Sequence, residues 1–501
     1  MLVRALLLIP FFLLTARTLH ADDVAVGVSG GSLKLSSTGA MIDVTIDQTG
    51  LPSTKFRVTP AVGTTVNGSS TASVFNNVTS DLRIQQTAGG GSYMIEDSVI
   101  ARDLRVNGSA PDGLVVGFIG SMKVKRDISF KATAGSSVLS TAPGSVKRNI
   151  KFKCGGVGNS TTVLNSTVVG GDVRIDSADG TDVVVLAPNT KVKGDFRVNF
   201  GEGINTFVDT SSNEYRGDLK ITGGDGTNTA VVTGQLDRDL SVLFGHGDGN
   251  TVVLTAEIGG SVRATSGGEL STLTVAPSTT TPWKSLRFDG GDGGDTVNFG
   301  PNTTFDRDVD LRLGAGDNTI SGGAFARTRS LKVTAGPGLD SIEFDATHVD
   351  KNCSIDLGSS PSATPDVLQL IGTRVDGALS ILSDLNRCNV TLTSLTVGGD
   401  ARLDLGRGAN TVGINSGTFK SLTCLGTNEI DKYTLTGTVT TAKNTSFLLG
   451  NGNNNIAIAT IDCGGDFIVR TGNGNDTISI TTPNISGATD IDLGSGMNSG
   501  P

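Results

Sequence analysis

Apolar and polar positions alternate along this chain in short segments that recur at a nearly constant interval. The stretch from Gly194 to Val232 contains the repeating unit twice: Gly-Asp, two apolar residues around a charged one, then Gly-x-Gly-x-Asn-Thr and a further apolar segment. Taking the first glycine of that turn as a marker, most steps along the chain are 22 or 23 residues. A sustained period in the low twenties predicts a solenoid with one coil per repeat.

Each repeat has three places where an apolar residue is expected to point inward. The first is the pair after Gly-Asp, such as Phe196 and Val198. The second place follows the Asn or Asp of the turn and is filled by Phe207, Ala230, Val252, Val297, Ile320, Ile342, Val412, Ile456 and Ile478. The third precedes the next repeat and is filled by Val192, Tyr215, Leu236, Ile258, Trp283, Phe305, Val375, Val397 and Phe419.

Alternation with a period of two makes each of these places a short strand. The sequence therefore predicts an all-β fold, a right-handed parallel β-helix (β-solenoid) of about 22 residues per coil with three short strands per coil. About nineteen coils at about 4.8 Å each would form a rod on the order of 90 Å long.

Residues 22–80 show the repeat only faintly, and residues 81–501 show it clearly. We therefore predict divergent N-terminal coils that act as a cap for residues 22–80, followed by the repeat domain. The C-terminus stops inside another Gly-x-Gly-x-Asn turn, Gly494–Ser499, without the apolar pair that follows elsewhere. An uncovered coil end has unpaired backbone groups, so this end is expected to fray or to associate end to end with a partner such as a second copy.

Composition narrows the class of protein. The 69 glycines, 5% aromatic residues and many Thr, Ser, Asn and Val favour short strands joined by turns. A formal charge of −9 argues against a nucleic-acid partner.

Residues 1–21 resemble a secretory signal peptide, with Arg4 before an apolar run and Ala21 at a cleavage position. An uncleaved anchor is the alternative, and no later segment is apolar enough to span a membrane.

Five cysteines, an odd number, are spread over different places in the repeat: Cys154, Cys353, Cys388, Cys424 and Cys463. Small buried thiols are the prediction, and one disulfide among the last four is the alternative.

The Gly-x-Gly-x-Asn/Asp-Thr turn resembles the hemolysin-type (RTX-like) calcium-binding repeat of exported bacterial proteins, most closely at Gly290–Val297 and then at Gly472–Ile478. That resemblance implies calcium held between successive turns by the Asp carboxylate. Two features differ here. The turn recurs about every 22 residues, and the Asp is usually Asn, at Asn205, Asn228, Asn250, Asn318, Asn410 and Asn498. Because amides are poorer calcium ligands and stack well, we predict a hydrogen-bonded Asn ladder, with calcium as the alternative.

A column of mostly basic residues is predicted on the outside of the first strand: Arg83, Arg105, Ser129, Lys151, Arg174, Arg197, Lys220, Ser241, Arg263, Arg287, Asp310 and Lys332. Such a stripe could bind an acidic polysaccharide. An aspartate lies two residues before many of them, at Asp81, Asp103, Asp127, Asp172, Asp195, Asp218 and Asp239. Lateral pairing of the two columns is expected to cancel most of the field.

Parallel β-helices include polysaccharide lyases and hydrolases, so catalysis needs to be considered. The coils have no long insertion to form a cleft, and His246 and His348 fall on different coils. Asp179, Asp182 and Asp225 are close in sequence, but each occupies a repeat position. We therefore predict no catalytic, cofactor-binding or metal residue.

Taken together, these features favour a secreted or cell-surface structural or adhesive β-solenoid without catalytic activity, whose partners are extracellular polysaccharide or other surface proteins. A polysaccharide lyase or hydrolase on the same scaffold is the first alternative, and a calcium-dependent RTX-like repeat protein is the second.

Overall fold

In a computed structural model of the chain, each typical coil contains three strands, one for each of the inward places in the repeat. The model describes residues 22–39, 41–109, 112–156, 158–268, 270–278, 281–301, 303–322, 326–359, 364–384 and 387–500. These residues form a parallel β-solenoid of about 18 turns and contain no helix, which confirms the predicted fold class. The segment predicted as a signal peptide, residues 1–21, lies outside the described residues.

The first face of the solenoid is built from the strands that follow the Gly-Asp corner. They are Ser32–Ser37, Leu82–Gln86, Leu104–Gly108, Ile128–Ala132, Ile150–Cys154, Val173–Asp176, Phe196–Asn199, Leu219–Thr222, Leu240–Phe244, Ser261–Ser266, Ser285–Asp289, Val309–Gly314, Leu331–Ala335, Cys353–Asp356, Leu379–Leu382, Thr445–Gly450, Phe467–Thr471 and Thr489–Asp492.

The second face follows the glycine-rich turn. Its separate strands are Met41–Asp47, Ser137–Ser140, Ser160–Leu164, Gly180–Leu186, Gly203–Asp209, Asn228–Val232, Asn250–Leu254, Leu270–Val275, Gly294–Phe299, Thr319–Gly322, Ser341–Asp345 and Asp366–Ile371.

The third face has the shortest strands, and several strands turn a corner without interruption. The separate strands are Gly144–Val146, Thr167–Val169, Lys191–Val192, Glu214–Tyr215, Gln235–Leu236, Glu257–Ile258, Arg327–Thr328, His348–Val349 and Arg374–Val375. Strands that run through the second and third faces are Gly90–Ile100, Leu114–Val124, Lys432–Thr441, Asn455–Cys463 and Thr477–Ile485. Two strands pass through all three faces, Cys388–Asp404 and Thr411–Leu425.

Residues at the same place in successive repeats are directly paired. Phe196 pairs in parallel with Val173 of the preceding coil and with Leu219 of the following one. Asn205 pairs in the same way with Asp182 and Asn228. Every position of the repeat is therefore a column that runs along the solenoid, about 4.8 Å per coil.

The N-terminal part of the solenoid contains antiparallel pairs in addition to parallel ones. Four strands lie outside the three faces: Asp22–Ser29, Phe56–Pro60, Thr64–Val66 and Ser73–Phe75. The first of them is antiparallel to Ser32–Ser37, and the second is antiparallel to Met41–Asp47. Ser32–Ser37 and Met41–Asp47 in turn pair in parallel with Leu82–Gln86 and Gly90–Ile100. The first coil of the solenoid is therefore flanked by antiparallel strands.

The core is the continuous apolar interior enclosed by the three faces, and all of the inward positions predicted from the sequence are buried in it. One coil shows how the faces meet. Phe196 of the first face packs edge to face against Phe207 of the second face, with ring centroids 6.0 Å apart, and against Tyr215 of the third, at 5.9 Å. The predicted phase of the three strands is therefore confirmed.

Candidate functional site

The glycine-rich turns place one polar side chain per coil inside the solenoid, at the corner between the first and second faces. This set, named here the Asx column, comprises Asp182, Asn205, Asn228, Asn250, Ser271, Asp295, Asn318, Asp340, Asp366, Cys388, Asn410, Asp431, Asn454, Asp476 and Asn498. All of them except Asn498 are buried. The six asparagines singled out from the sequence are all members.

Asn228 illustrates the bonding within the column. Its Nδ2 donates to Oδ1 of Asn250 in the next coil at 3.0 Å, and to the carbonyl oxygens of Gly224 and Gly226 in its own turn. Its backbone N–H also donates to Asn250 Oδ1. Asn205 donates in the same way to Asn228 at 2.8 Å. The hydrogen-bonded ladder expected from the sequence is therefore present.

The sequence did not predict that aspartates alternate with asparagines in this ladder. Asn318 donates through Nδ2 to Asp340 Oδ1 at 2.8 Å, and Asn410 and Asn454 donate likewise to Asp431 and Asp476 at 2.9 and 3.0 Å. The second carboxyl oxygen of each of these aspartates is buried and has no hydrogen-bond partner among the described residues. These acids could have been found from their register, since each stands at the Asn position of its own turn.

Burial disfavours the charged form of the Asp295, Asp340 and Asp431 carboxyls. It raises the pKa of Asp295 and of Asp340 to about 7, and that of Asp431 to about 6. Asp295 belongs to the turn that best matches the calcium-binding repeat, and its Oδ2 accepts a hydrogen bond from the Gly291 N–H at 3.2 Å. A Cβ on Gly290 would lie 1.8 Å from that oxygen, so this turn requires glycine beside the carboxyl.

The outer column of the first face stacks in the predicted register, from Arg83 paired with Arg105 to Asp310 paired with Lys332. Three arginines contact the aspartate two residues before them, as expected: Arg83 to Asp81, Arg105 to Asp103 and Arg197 to Asp195, at 2.7, 2.9 and 3.0 Å.

Other arginines of the same column contact an aspartate two residues after them instead. Arg174 reaches Asp176 at 2.7 Å, and Arg287 reaches Asp289 at 2.9 Å. The expected partner of Arg174, Asp172, accepts the backbone N–H of Asp195 at 3.0 Å. Some corner aspartates therefore accept a backbone N–H of the next coil and do not pair with an arginine. The positive charges of the outer column are neutralised by preceding aspartates in some coils and by following aspartates in others.

The outward side of the second face is uncharged over many coils. Its two columns consist mainly of half-buried threonine and valine: Thr161 and Val163, Val183 and Val185, Thr206 and Val208, Thr229 and Val231, Thr251 and Val253, Thr272 and Thr274. These columns present hydroxyl and methyl groups to the outside of the second face.

One shallow depression lies further along the second face. It has a volume of about 410 Å³ and is lined by Asn298, Phe299, Ser321, Gly322, Glu343 and Asp345. Glu343 and Asp345 project from the same side of one strand, about 6.6 Å apart along the chain. Most glycoside hydrolases use a pair of carboxylates, and no pattern in the sequence distinguishes Glu343 and Asp345 as such a pair.

The acids considered from the sequence do not form such a pair. Asp182 is buried in the Asx column and accepts from Ser160 N at 2.8 Å. Asp179 and Asp225 lie in exposed turns, where each accepts a backbone N–H of the next coil, from Glu202 and His246. All three therefore have structural partners.

His348, Asp350 and Asp376 bring their potential ligand atoms within 4.8 Å of one another on the third face. His348 Nε2 lies 2.9 Å from Asp376. However, Arg327 contacts Asp350 at 2.8 Å and Arg374 contacts Asp376 at 2.7 Å. The Arg374 hydrogen bond, helped by His348, holds the pKa of Asp376 below its usual value. The group is an ion-pair cluster in which both carboxylates are neutralised.

The two histidines considered from the sequence, His246 and His348, do lie on different coils.

All five cysteines are buried and free of disulfides. Burial raises the pKa of Cys154, Cys353 and Cys388 to about 12, which keeps these thiols protonated and unreactive at neutral pH.

No family model, curated protein or solved structure matches this chain. Within the described residues, no helix has the length and apolar character needed to cross a membrane.

Proposed function

We propose that this chain is a secreted or cell-surface structural or adhesive β-solenoid without catalytic activity. The observation that carries this proposal is the Asx column, in which buried polar side chains hydrogen-bond to their own coil and to a neighbouring coil, as Asn228, Asn318 and Asn454 do. The repeat thus builds a scaffold, and its outer columns provide long surfaces for contact. Solenoids commonly use such extended surfaces for binding.

Export is supported by the signal-like pattern of residues 1–21. Expression of the full chain with a C-terminal tag in a bacterium, followed by fractionation and N-terminal sequencing, tests this part. We expect a processed chain beginning at Asp22 outside the cytoplasm. A cytoplasmic chain that keeps Met1 would contradict it.

Catalysis is the competing function, and the Glu343–Asp345 depression is the observation that favours it. We expect no new reducing ends and no unsaturated products when the purified chain is incubated with a panel of neutral and acidic polysaccharides. Cleavage that is lost in the Glu343→Gln/Asp345→Asn double variant, and retained in the exposed control Asp237→Asn, would establish an enzyme and overturn the proposal.

Calcium-dependent folding is the second competing function, and the resemblance of Gly290–Val297 to the hemolysin-type turn supports it. We propose instead that calcium is not required. Oδ1 of Asp340 already accepts hydrogen bonds from the backbone N–H and the Nδ2 of Asn318 in the preceding coil. A cation bound there would have to displace those bonds.

A further inference from the structure

An unusual concentration of positive charge lies in one short part of this acidic chain. Between residues 123 and 153 there are eight basic residues and one acidic residue, Asp127, whereas the whole chain has 40 basic and 49 acidic residues. The set, named here the basic patch, comprises Lys123, Lys125, Arg126, Lys131, Lys147, Arg148, Lys151 and Lys153. All are exposed except Arg126, which is half-buried.

The fold brings these residues together on two successive coils. Lys131 and Lys153 are direct partners in the parallel pairing of the first face, so they lie about 4.8 Å apart. Lys151 projects from the same side of its strand as Lys153. At the adjoining corner the backbone N–H of Arg148 donates to Arg126 O at 3.0 Å, which stacks the two arginines as well. The patch therefore extends over the first face and around its corner with the third.

Elsewhere in this column an aspartate neutralises the arginine beside it. In the basic patch Arg126 contacts Asp103 at 3.5 Å, but the lysines lack such a partner within the described part of the chain. Asn149 occupies the corner position that is aspartate in the neighbouring coils. Asp127 Oδ1 accepts from the backbone N–H and the Nδ2 of Asn149, and Asp127 Oδ2 comes no closer than 4.0 Å to Arg126 and Arg148.

No lysine of the patch has a carboxylate within 4.0 Å among the described residues. Asp103 in the preceding coil and Asp176 in the following coil limit the patch, because each is paired with an arginine of its own strand. Six lysines with no ion-pair partner therefore face solvent together.

We propose that the basic patch binds an acidic polysaccharide, an inference that rests on the extracellular adhesive role proposed above. The surface is a sheet face and its corner, so it suits an extended chain that contacts several lysines at once. Phe130 and Phe152, the aromatic residues of the two strands, are buried and stacked on each other with centroids 4.7 Å apart. No ring is left exposed on these strands to stack with a base, which disfavours single-stranded nucleic acid.

Binding of the purified full chain to immobilised polygalacturonate tests this proposal. The test variant is Lys131→Gln/Lys151→Gln/Lys153→Gln. The matched control is Lys34→Gln/Lys220→Gln/Lys332→Gln, which removes the same charge from exposed positions on the outside of the first face, in the column of Lys151 but in other coils. We expect the test variant to bind at least about fivefold more weakly than the parent at low salt, and the control less than about twofold more weakly.

Binding by the parent is also expected to weaken as salt increases, because the contacts are exposed ion pairs. Equal loss in the two variants, or no binding by the parent at low salt, would overturn the proposal. If the parent chain is retained on immobilised single-stranded DNA as strongly as on polygalacturonate, or more strongly, under the same conditions, the choice of polysaccharide is overturned. Circular dichroism of both variants is the control for folding, and we expect the β signal of the parent in each. None of these outcomes changes the fractionation and cleavage results that test the proposed function.

Discussion

Neighbouring residues on one strand have opposite roles in this solenoid. Phe196 is fully buried between two aromatic rings of its own coil, whereas the side chain of Arg197 is more than half exposed and forms an ion pair with Asp195. Burying a carboxylate at Phe196 without a partner is costly, and an exposed ion pair contributes little. We expect Phe196→Asp to destabilise the coil by about 4 kcal/mol or more and Arg197→Ser by less than about 0.5 kcal/mol. Thermal unfolding measures both, and similar losses would contradict the assigned strand phase.

Substitution of a buried asparagine in the Asx column is expected to destabilise the fold more than substitution of an exposed asparagine. Replacing Asn228 with alanine removes three hydrogen bonds from its Nδ2 and leaves the carbonyl groups of Gly224 and Gly226 without that donor. We expect Asn228→Ala to lower the free energy of unfolding by about 2–3 kcal/mol. The control is Asn107→Ala, on the outside of the first face, with a change below about 0.5 kcal/mol. A silent Asn228→Ala would show that the ladder does not stabilise the coils.

At the scale of the turn, the aspartates of the Asx column make stability depend on pH. The pKa of Asp340 is raised to about 7 in the folded chain by burial, while an unfolded aspartate titrates near 3.9. Between these values the folded chain keeps a proton that the unfolded chain releases. The stabilisation is therefore complete below about pH 4 and is lost as the pH rises to about 7.

The variant Asp340→Asn tests this dependence, because an amide cannot ionise and can bond as the asparagines of the column do. We expect it to melt at a higher temperature than the parent at pH 8, by an amount equivalent to about 1–3 kcal/mol, and at a similar temperature at pH 4. The control is Asp237→Asn at an exposed position, which is expected to melt at the same temperature as the parent at pH 4 and again at pH 8. A variant that is less stable than the parent at pH 8 would show that the column requires the charge of Asp340.

The period of the repeat and the three inward columns could be predicted from the sequence, because burial imposes one apolar residue at a fixed phase in every coil. Trp283 and Phe305 were placed correctly by this rule even though their strands are reduced to an isolated bridge. The membership of Asp340 and Asp431 in the ladder was not predicted. A charged residue in a turn normally faces solvent, and only the register of the coils shows that these two face inward.

The outer surface could be predicted less well, because it depends on which partner a flexible side chain reaches. Pairing of each arginine with the preceding aspartate held at Arg83 and failed at Arg174. The basic patch had one signal in the sequence, the replacement of the corner aspartate by Asn149 beside Lys151. The cluster of His348 with Asp376 had none, because its members come from different coils.

At the scale of the whole molecule, the stacking of equivalent repeat positions into columns gives an elongated solenoid whose faces differ in composition. The second face is uncharged threonine and valine over many coils, the first face carries arginines paired with aspartates, and the basic patch occupies two coils near the N-terminal end. An adhesive scaffold needs such extended surfaces more than it needs a cleft. The ordering of these surfaces depends on the coils remaining in register along the entire solenoid.

The most direct test of this account is small-angle X-ray scattering of the purified chain in chelator and in millimolar calcium. We expect one elongated particle with a length on the order of 90 Å, from about 18 turns at about 4.8 Å each, and identical scattering in both buffers. A compact or unfolded particle in chelator that becomes a rod when calcium is added would show that calcium, and not the hydrogen-bonded Asx column, holds the coils together.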